Sequence, residues 1–135
     1  MDYHKNINST IGLLEYARLY NRKLKIILLS SAAVYGNNKT KFTEKTNINP
    51  ISIYGKNKFL AEKKCHAYSK KFKLNITILR LTSIFGKGLD KQLIFECCKK
   101  INSKKYIFFG TGNEKRDWLH IDDLNILIHK MIKKK

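Results

Sequence analysis

A short apolar run, KIILLSS at residues 25–31, is the strongest fold signal in this chain. It shows no apolar–polar alternation, which is typical of a strand buried on both faces of a parallel sheet. A second run, NITILRL at residues 75–81, is rich in β-branched residues and is expected to be a second strand. Residues 54–72, between the two runs, have helical spacing, so strand, helix and strand alternate. This order predicts an α/β fold with a parallel sheet and right-handed crossovers.

The segments outside these strands continue the alternation. Helical spacing is expected in four segments, residues 8–20, 54–72, 89–101 and a last helix capped by Asp122 or Asp123 that runs to about 131. A short strand is expected at 106–109, and residues 118–121 are expected to be extended. A polar loop with the single proline, Pro50, fills residues 36–52.

The charge of the 135-residue chain is strongly positive, +18 at pH 7. Nucleic-acid binding is the first hypothesis for such a charge. However, only 4 of the 28 basic residues are arginine, the residue that makes bidentate contacts, and the lysines spread along the whole chain. Lys, Asn and Ile together make up 53 residues, as a genome rich in A and T would produce. We therefore expect solvated lysines and no nucleic-acid partner, and keep a basic nucleic-acid-binding protein as a distant third hypothesis.

Other classes are disfavoured by simple patterns. The strongly apolar stretches are far too short to cross a bilayer, and no secretory signal is recognisable, so no membrane partner is expected. The three cysteines, Cys65, Cys97 and Cys98, form no disulfide framework, which indicates a cytoplasmic protein. No histidine spacing suggests a metal site.

Three side chains that could together carry out proton transfer, a serine, a tyrosine and a lysine, lie at the carboxyl ends of the predicted strands. Ligands bind at this edge of the sheet in such a fold. Ser31 ends the first strand, and Tyr54 opens the following helix. Lys58 lies four residues after Tyr54, one turn along the same helix face. An ammonium group near a phenol stabilises the phenolate, which allows a tyrosine to act as a general base near neutral pH.

Five motifs in chain order extend this pattern. They are residues 6–10 (NINST, similar to N-x-x-G-T), 30–36 (SSAAVYG, similar to S-S-x-x-V-Y-G), 44 with 50–58 (E…PISIYGKNK, similar to E…P-x-S-x-Y-G-x-S-K), 79–86 (LRLTSIFG, similar to L-R-x-x-N-V-Y-G) and 109–123 (FGTG…RDWLHIDD, similar to G-x-G…R-D-[FWY]-x-H-V-x-D). Together they resemble the extended short-chain dehydrogenase/reductase family, in its branch of NAD-dependent sugar-nucleotide epimerases and dehydratases, and UDP-glucose 4-epimerases in particular.

The resemblance implies a role for seven residues. Ser31, Tyr54 and Lys58 are the implied catalytic residues, with Tyr54 as base and acid and Lys58 as the group that stabilises its phenolate. The same three residues, with Asn6 and Thr82, are implied to line the NAD site. Ser31, Ser83 and Arg116 are implied to bind the nucleotide-sugar substrate, with the planar Arg116 fork suited to its diphosphate.

The reaction type within the branch is indicated by two alanines. The 4,6-dehydratases of the family carry T-D-E where this chain has Ser31, Ala32 and Ala33. Alanine transfers no proton, so the resemblance favours a 4-epimerase that passes through a 4-keto sugar. A sugar-nucleotide ketoreductase or dehydratase, and an inactive remnant of such an enzyme, remain the alternatives.

The phosphate-binding part of the NAD site is missing from this sequence, because no G-x-x-G-x-x-G loop occurs in it. We expect a fragment truncated at both ends: residues 1–86 as the C-terminal half of a Rossmann-like, doubly wound NAD domain, and 87–135 as the start of a small nucleotide-sugar-binding part. Such a sheet exposes an apolar strand edge. The chain by itself is therefore expected to be marginally folded and inactive, or to pair as a homodimer or with a complementing N-terminal fragment.

Overall fold

The computed structural model describes residues 7–37, 41–104 and 106–133. The chain forms two compact units, Met1–Leu81 and Thr82–Lys135. The boundary predicted after residue 86 separates an NAD-binding part from a nucleotide-sugar-binding part. It divides the chain by function, whereas the two units are divided by their internal contacts, so this boundary stays a prediction.

The first unit contains the strand–helix–strand motif that the sequence predicts. Its elements are helix α1 (Ser9–Tyr20), strand β1 (Lys25–Ser31), a 3₁₀ turn (Ala32–Tyr35), helix α2 (Ile53–Phe72) and strand β2 (Asn75–Leu81). The two strands pair in parallel over their whole length, from Lys25 opposite Asn75 to Ser31 opposite Leu81. The predicted parallel α/β arrangement is confirmed.

The core of this unit joins the helices to one face of the strands. It consists of Leu14, Ala17, Ile26, Cys65 and Leu74, each at most 5% exposed. Alternate residues of β1 point to opposite faces, so Ser30 shares the buried face with Ile26. Leu29, on the other face, remains 42% exposed. The helices therefore cover one side of this strand pair.

The start of α2 is fixed by a side-chain cap. Ser52 has extended backbone, and its hydroxyl accepts a hydrogen bond from the Gly55 amide at 3.0 Å. The loop before it returns to the 3₁₀ turn, where the Asn49 amide donates to the Val34 carbonyl at 3.1 Å. Gly36 leaves that turn with φ +69°, a conformation that favours glycine. These contacts bring the first turn of α2 back to the end of β1.

The second unit contains strand β3 (Ser83–Phe85), helix α3 (Gln92–Asn102), strand β4 (Trp118–His120) and helix α4 (Ile121–Lys133). β3 and β4 pair in parallel. The extended segment predicted at 118–121 is confirmed in its first three residues.

Three expectations for the second unit differ from the structure. Residues 106–109 form no strand; among the described residues no strand pairs with them, and Phe109 is 95% exposed. Helix α3 begins at Gln92 rather than at residue 89, because the Leu89 amide closes a turn onto Gly86 at 3.3 Å. Helix α4 begins at Ile121, so the two aspartates expected as caps lie in its first turn instead, where carboxylates are still favourable.

No helix within the described ranges is both long enough and apolar enough to cross a membrane.

Candidate active site

Ser31 lies at the carboxyl end of β1, where the chain turns into the 3₁₀ turn. Its side chain accepts a hydrogen bond from the Ala33 amide at 3.2 Å and thereby caps that turn. This hydrogen bond orients the hydroxyl of the half-buried Ser31 at the end of the strand pair. A hydroxyl fixed in this way can orient the hydroxyl of a bound substrate.

Tyr54 and Lys58 occupy the first two turns of α2. Lys58 Nζ lies 5.7 Å from the centroid of the Tyr54 ring, as their spacing of four residues predicts. The same ammonium donates a hydrogen bond to the Leu29 carbonyl of β1 at 3.0 Å. Burial lowers the pKa of Lys58 from its ordinary value. Tyr54 is 45% exposed, so its phenol is accessible while the ammonium beside it is anchored.

Gly55 brings this helix start against the turn that Ser31 caps. A Cβ atom at Gly55 would lie 2.5 Å from the Ala33 carbonyl oxygen and 3.2 Å from Cβ of Pro50. Only a residue without a side chain allows so close an approach. The structure thus brings Ser31, Tyr54 and Lys58 to one corner of the first unit, which we call the β1–α2 corner.

Four further polar side chains lie beneath this corner. Glu62, one turn after Lys58 and 1% exposed, accepts a hydrogen bond from the Ser30 hydroxyl at 2.5 Å. Arg80 of β2 donates to both Glu62 carboxylate oxygens, with Nη2 to Oε2 at 2.8 Å. Arg80 Nη1 also donates to the Tyr35 hydroxyl at 2.9 Å. These bonds, to Glu62 first, raise the pKa of Arg80 above its ordinary value.

This network was not predicted from the sequence, although the sequence contains a signal for it. Arg80 is the one charged residue of a strand rich in Ile and Leu, and a charge that becomes buried there requires a partner. Glu62 stands four residues after Lys58 and therefore on the same face of α2. Nothing in the sequence indicates which carboxylate Arg80 takes.

Two of the three residues predicted to bind the nucleotide sugar lie in the second unit, and the third, Ser31, belongs to the β1–α2 corner of the first. Ser83 and Arg116 line one cavity of about 440 Å³. Three aromatic residues, Phe108, Phe109 and Trp118, line it as well. The structure therefore brings the two predicted substrate residues to one cavity beside flat apolar rings.

Two further residues, Thr82 and Asn6, were predicted to line the cofactor site. Thr82 is exposed and precedes β3. Asn6 lies outside the described residues. Among the described residues, no cluster of His, Cys, Asp and Glu is arranged to hold a metal ion.

Comparison with known proteins shows which family the chain belongs to. The sequence model of the NAD dependent epimerase/dehydratase family matches residues 2–135. The chain belongs to this family. The recognition made from the five motifs is thereby confirmed, and the family is NAD-dependent by its description.

Relatives and solved structures agree with this assignment. The chain is 32% identical over 120 residues to an uncharacterized UDP-glucose epimerase of Bacillus subtilis (strain 168), covering 87% of this chain and 38% of the relative. It superposes on UDP-glucuronic acid 4-epimerase from Bacillus cereus, solved with UDP-glucuronic acid and NAD, with a TM-score of 0.87, 32% identity, and coverage of 96% and 42%. For dTDP-glucose 4,6-dehydratase from Bacillus anthracis, solved with NAD, the TM-score is 0.89, the identity 31%, and the coverage 98% and 43%.

These likenesses confirm the predicted fold class, because the chain superposes on part of each NAD-binding enzyme. The chain spans about two fifths of the length of the curated relatives it matches. Both epimerases and 4,6-dehydratases are among them, so family membership alone does not distinguish the two reactions.

Proposed function

We propose that this chain carries the catalytic corner of an NAD-dependent epimerase that acts on a nucleotide-diphosphate sugar. The observation that carries the proposal is the anchored ammonium of Lys58, 5.7 Å from the Tyr54 ring and 3.0 Å from the Leu29 carbonyl. The ammonium stands beside an accessible phenol, at the end of the strand that presents Ser31.

The chemistry of the proposed reaction begins with a proton transfer. Tyr54, as phenolate, removes a proton from a sugar hydroxyl that Ser31 orients by a hydrogen bond. The positive charge of Lys58 stabilises the phenolate and is held in place by the Leu29 carbonyl. NAD, when bound, supplies the hydride acceptor and donor for the 4-keto sugar. Tyr54 then returns the proton after the sugar has presented its other face.

The proposed cofactor contacts of this chain suit one end of NAD. Lys58 and Tyr54 offer an ammonium and a hydroxyl to the nicotinamide ribose, and Asn6 and Thr82 complete the proposed set. The 135 residues contain no glycine-rich phosphate loop. We therefore propose that the pyrophosphate is held by a complementing N-terminal segment, with a homodimer as the other possible assembly, in the cytoplasm, where the three free cysteines stay reduced.

The proposed substrate contacts lie in the cavity of the second unit. The guanidinium of Arg116 suits a diphosphate, because its planar fork makes paired charge-assisted hydrogen bonds. The rings of Phe108, Phe109 and Trp118 suit a nucleobase, which stacks on aromatic side chains. This combination of flat rings and a cation supports a nucleoside-diphosphate sugar as substrate.

Epimerase rather than dehydratase activity is supported by the 3₁₀ turn. Ala32 and Ala33 follow Ser31 directly and offer no acid or base for eliminating water. A ketoreductase uses the same Ser31, Tyr54 and Lys58 chemistry and is the alternative reaction. Nucleic-acid binding is weakened because two of the four arginines, Arg18 and Arg80, are paired with Glu15 and Glu62.

The test is NAD binding by titration calorimetry, with and without a UDP-sugar, on the chain and on the chain mixed with a complementing N-terminal segment. We expect micromolar binding and 4-epimerisation of the UDP-sugar in the mixture. In Tyr54→Phe, binding should persist while turnover is lost. Absence of NAD binding in every mixture would refute the proposal and favour an inactive remnant.

A further inference from the structure

Two polar contacts, one helical turn apart, hold α2 on β1. Lys58 Nζ donates to the Leu29 carbonyl at 3.0 Å, and Glu62 accepts from the Ser30 hydroxyl at 2.5 Å. The partners on the strand are consecutive residues, and the next residue is Ser31. Because both contacts have fixed donors and acceptors, together they set the rotation and the height of α2 on the strand.

Arg80 holds the Glu62 carboxylate from the other strand. Three nitrogen–oxygen contacts of 2.8 to 3.2 Å join the two side chains, so the carboxylate cannot rotate without breaking a bond. The Arg80 guanidinium also lies 5.0 Å from the Tyr35 ring centroid, which joins it to the turn after Ser31. Glu62 therefore connects every element that borders the β1–α2 corner.

We propose that Glu62 is a positioning residue that fixes Lys58 and Ser31 in the geometry of the reaction. It acts through Ser30 on the strand end and through its own helix on Lys58, one turn away. Its importance for turnover rests on the proposed function, whereas its control of the position of Lys58 does not.

A purely stabilising role would not require these groups. A buried ion pair can often be replaced by apolar residues of similar size with no loss of stability. Such a replacement removes the directional bonds to Ser30 and Tyr35 while it retains the packing. The double variant Glu62→Met/Arg80→Leu therefore separates positioning from stability.

The experiment follows the NMR titration of the Lys58 side chain, which needs neither cofactor nor turnover. In the wild-type chain, burial holds the pKa of Lys58 below its ordinary value. In the double variant, we expect a melting temperature close to that of the wild type and an upward movement of this pKa. The matched control is Glu15→Gln, which removes the carboxylate charge that pairs with Arg18 of α1 and Tyr68 of α2, away from the corner. Lys58 should not move in this control.

A second readout and a second variant complete the test. In the complemented enzyme, kcat should fall about 100-fold with little change in KM, as expected for a displacement of about 1 Å. An unchanged Lys58 titration in a folded double variant would overturn the inference. If the double variant does not fold, the Lys58 titration is measured in Ser30→Ala, which removes the bond from Ser30 to Glu62 and leaves the ion pair with Arg80. An unchanged titration in that variant would likewise overturn the inference. Failure of NAD binding by the complemented wild type would refute the proposed function, and the Lys58 titration would still decide the positioning role.

Discussion

Replacing Gly55 with alanine tests the close approach that forms the β1–α2 corner. The new Cβ would lie 2.5 Å from the Ala33 carbonyl oxygen, about 0.9 Å inside ordinary contact, which begins near 3.4 Å. The atoms in the way are backbone atoms of Ala33, which cannot rotate aside as the end of a flexible side chain could. The start of α2 must therefore move away from the turn. Overpacking of this kind costs about 1–3 kcal/mol. The displacement also moves Tyr54, so we expect a loss of turnover of about 100-fold in the complemented enzyme.

Gly12 provides a matched control for this substitution. It lies in α1, and a Cβ there would meet no heavy atom within 4 Å. Gly12→Ala should raise the free energy of unfolding by about 0.5–1 kcal/mol, because alanine is the better helix former. Since both variants gain this propensity, the difference between them in urea unfolding isolates the overpacking of about 1–3 kcal/mol. Equal stabilisation by both variants would refute the close packing of Gly55 on Ala33.

Three further predictions concern the first unit. Because the pKa of Lys58 is lowered in the folded state, the unfolded chain binds that proton more tightly. The free energy of unfolding, measured in urea across pH and compared with that of Lys58→Met, should therefore rise between the lowered pKa and about 10.5. A difference that falls over this pH range would contradict the lowered pKa. Burial raises the pKa of the Cys65 thiol to about 11, so a thiol reagent at pH 8 should label exposed Cys98 and should reach Cys65 only after unfolding. Peptide mass spectrometry measures both reactions, and equal labelling rates of the two cysteines would contradict a buried Cys65. Leu14→Ala should lower the free energy of unfolding in urea by about 2–5 kcal/mol, because Leu14 is fully buried. Leu19→Ala, at a 57% exposed position, should lower it by less than about 0.5 kcal/mol, and similar losses in the two variants would count against the core.

The first unit could be predicted closely from sequence because its elements carry strong local signals. The two predicted strands match β1 and β2, and the helix predicted at 54–72 begins one residue earlier, at Ile53. The run at 106–109 consists of one β-branched and three aromatic residues, which also favour strands, but it has no strand partner among the described residues. A strand depends on a neighbouring strand for its hydrogen bonds, and local composition does not supply one.

The candidate site was predictable where its geometry is local and unpredictable where it is not. Tyr54 and Lys58 meet because a helix brings residues four apart together, and this spacing is visible in the sequence. Glu62 and Arg80 are 18 residues apart on different elements, so only the packing of α2 on the strands pairs them. The placement of Ser31 followed from its position at a strand end, while the burial of Ser30 beside it depended on the face that the helices cover.

The parallel register of β1 and β2 has a consequence for how the molecule assembles. Each paired residue lies 50 positions from its partner in the sequence, from Lys25 opposite Asn75 to Ser31 opposite Leu81. Closing a loop of that length costs about 3.5 kcal/mol of chain entropy before any strand contact forms. Distant pairings of this kind slow folding, and the β1–α2 corner forms only once both strands and the connecting helix have come together. A destabilising substitution elsewhere in the unit should therefore reduce the number of folded molecules while each remaining one keeps an intact β1–α2 corner.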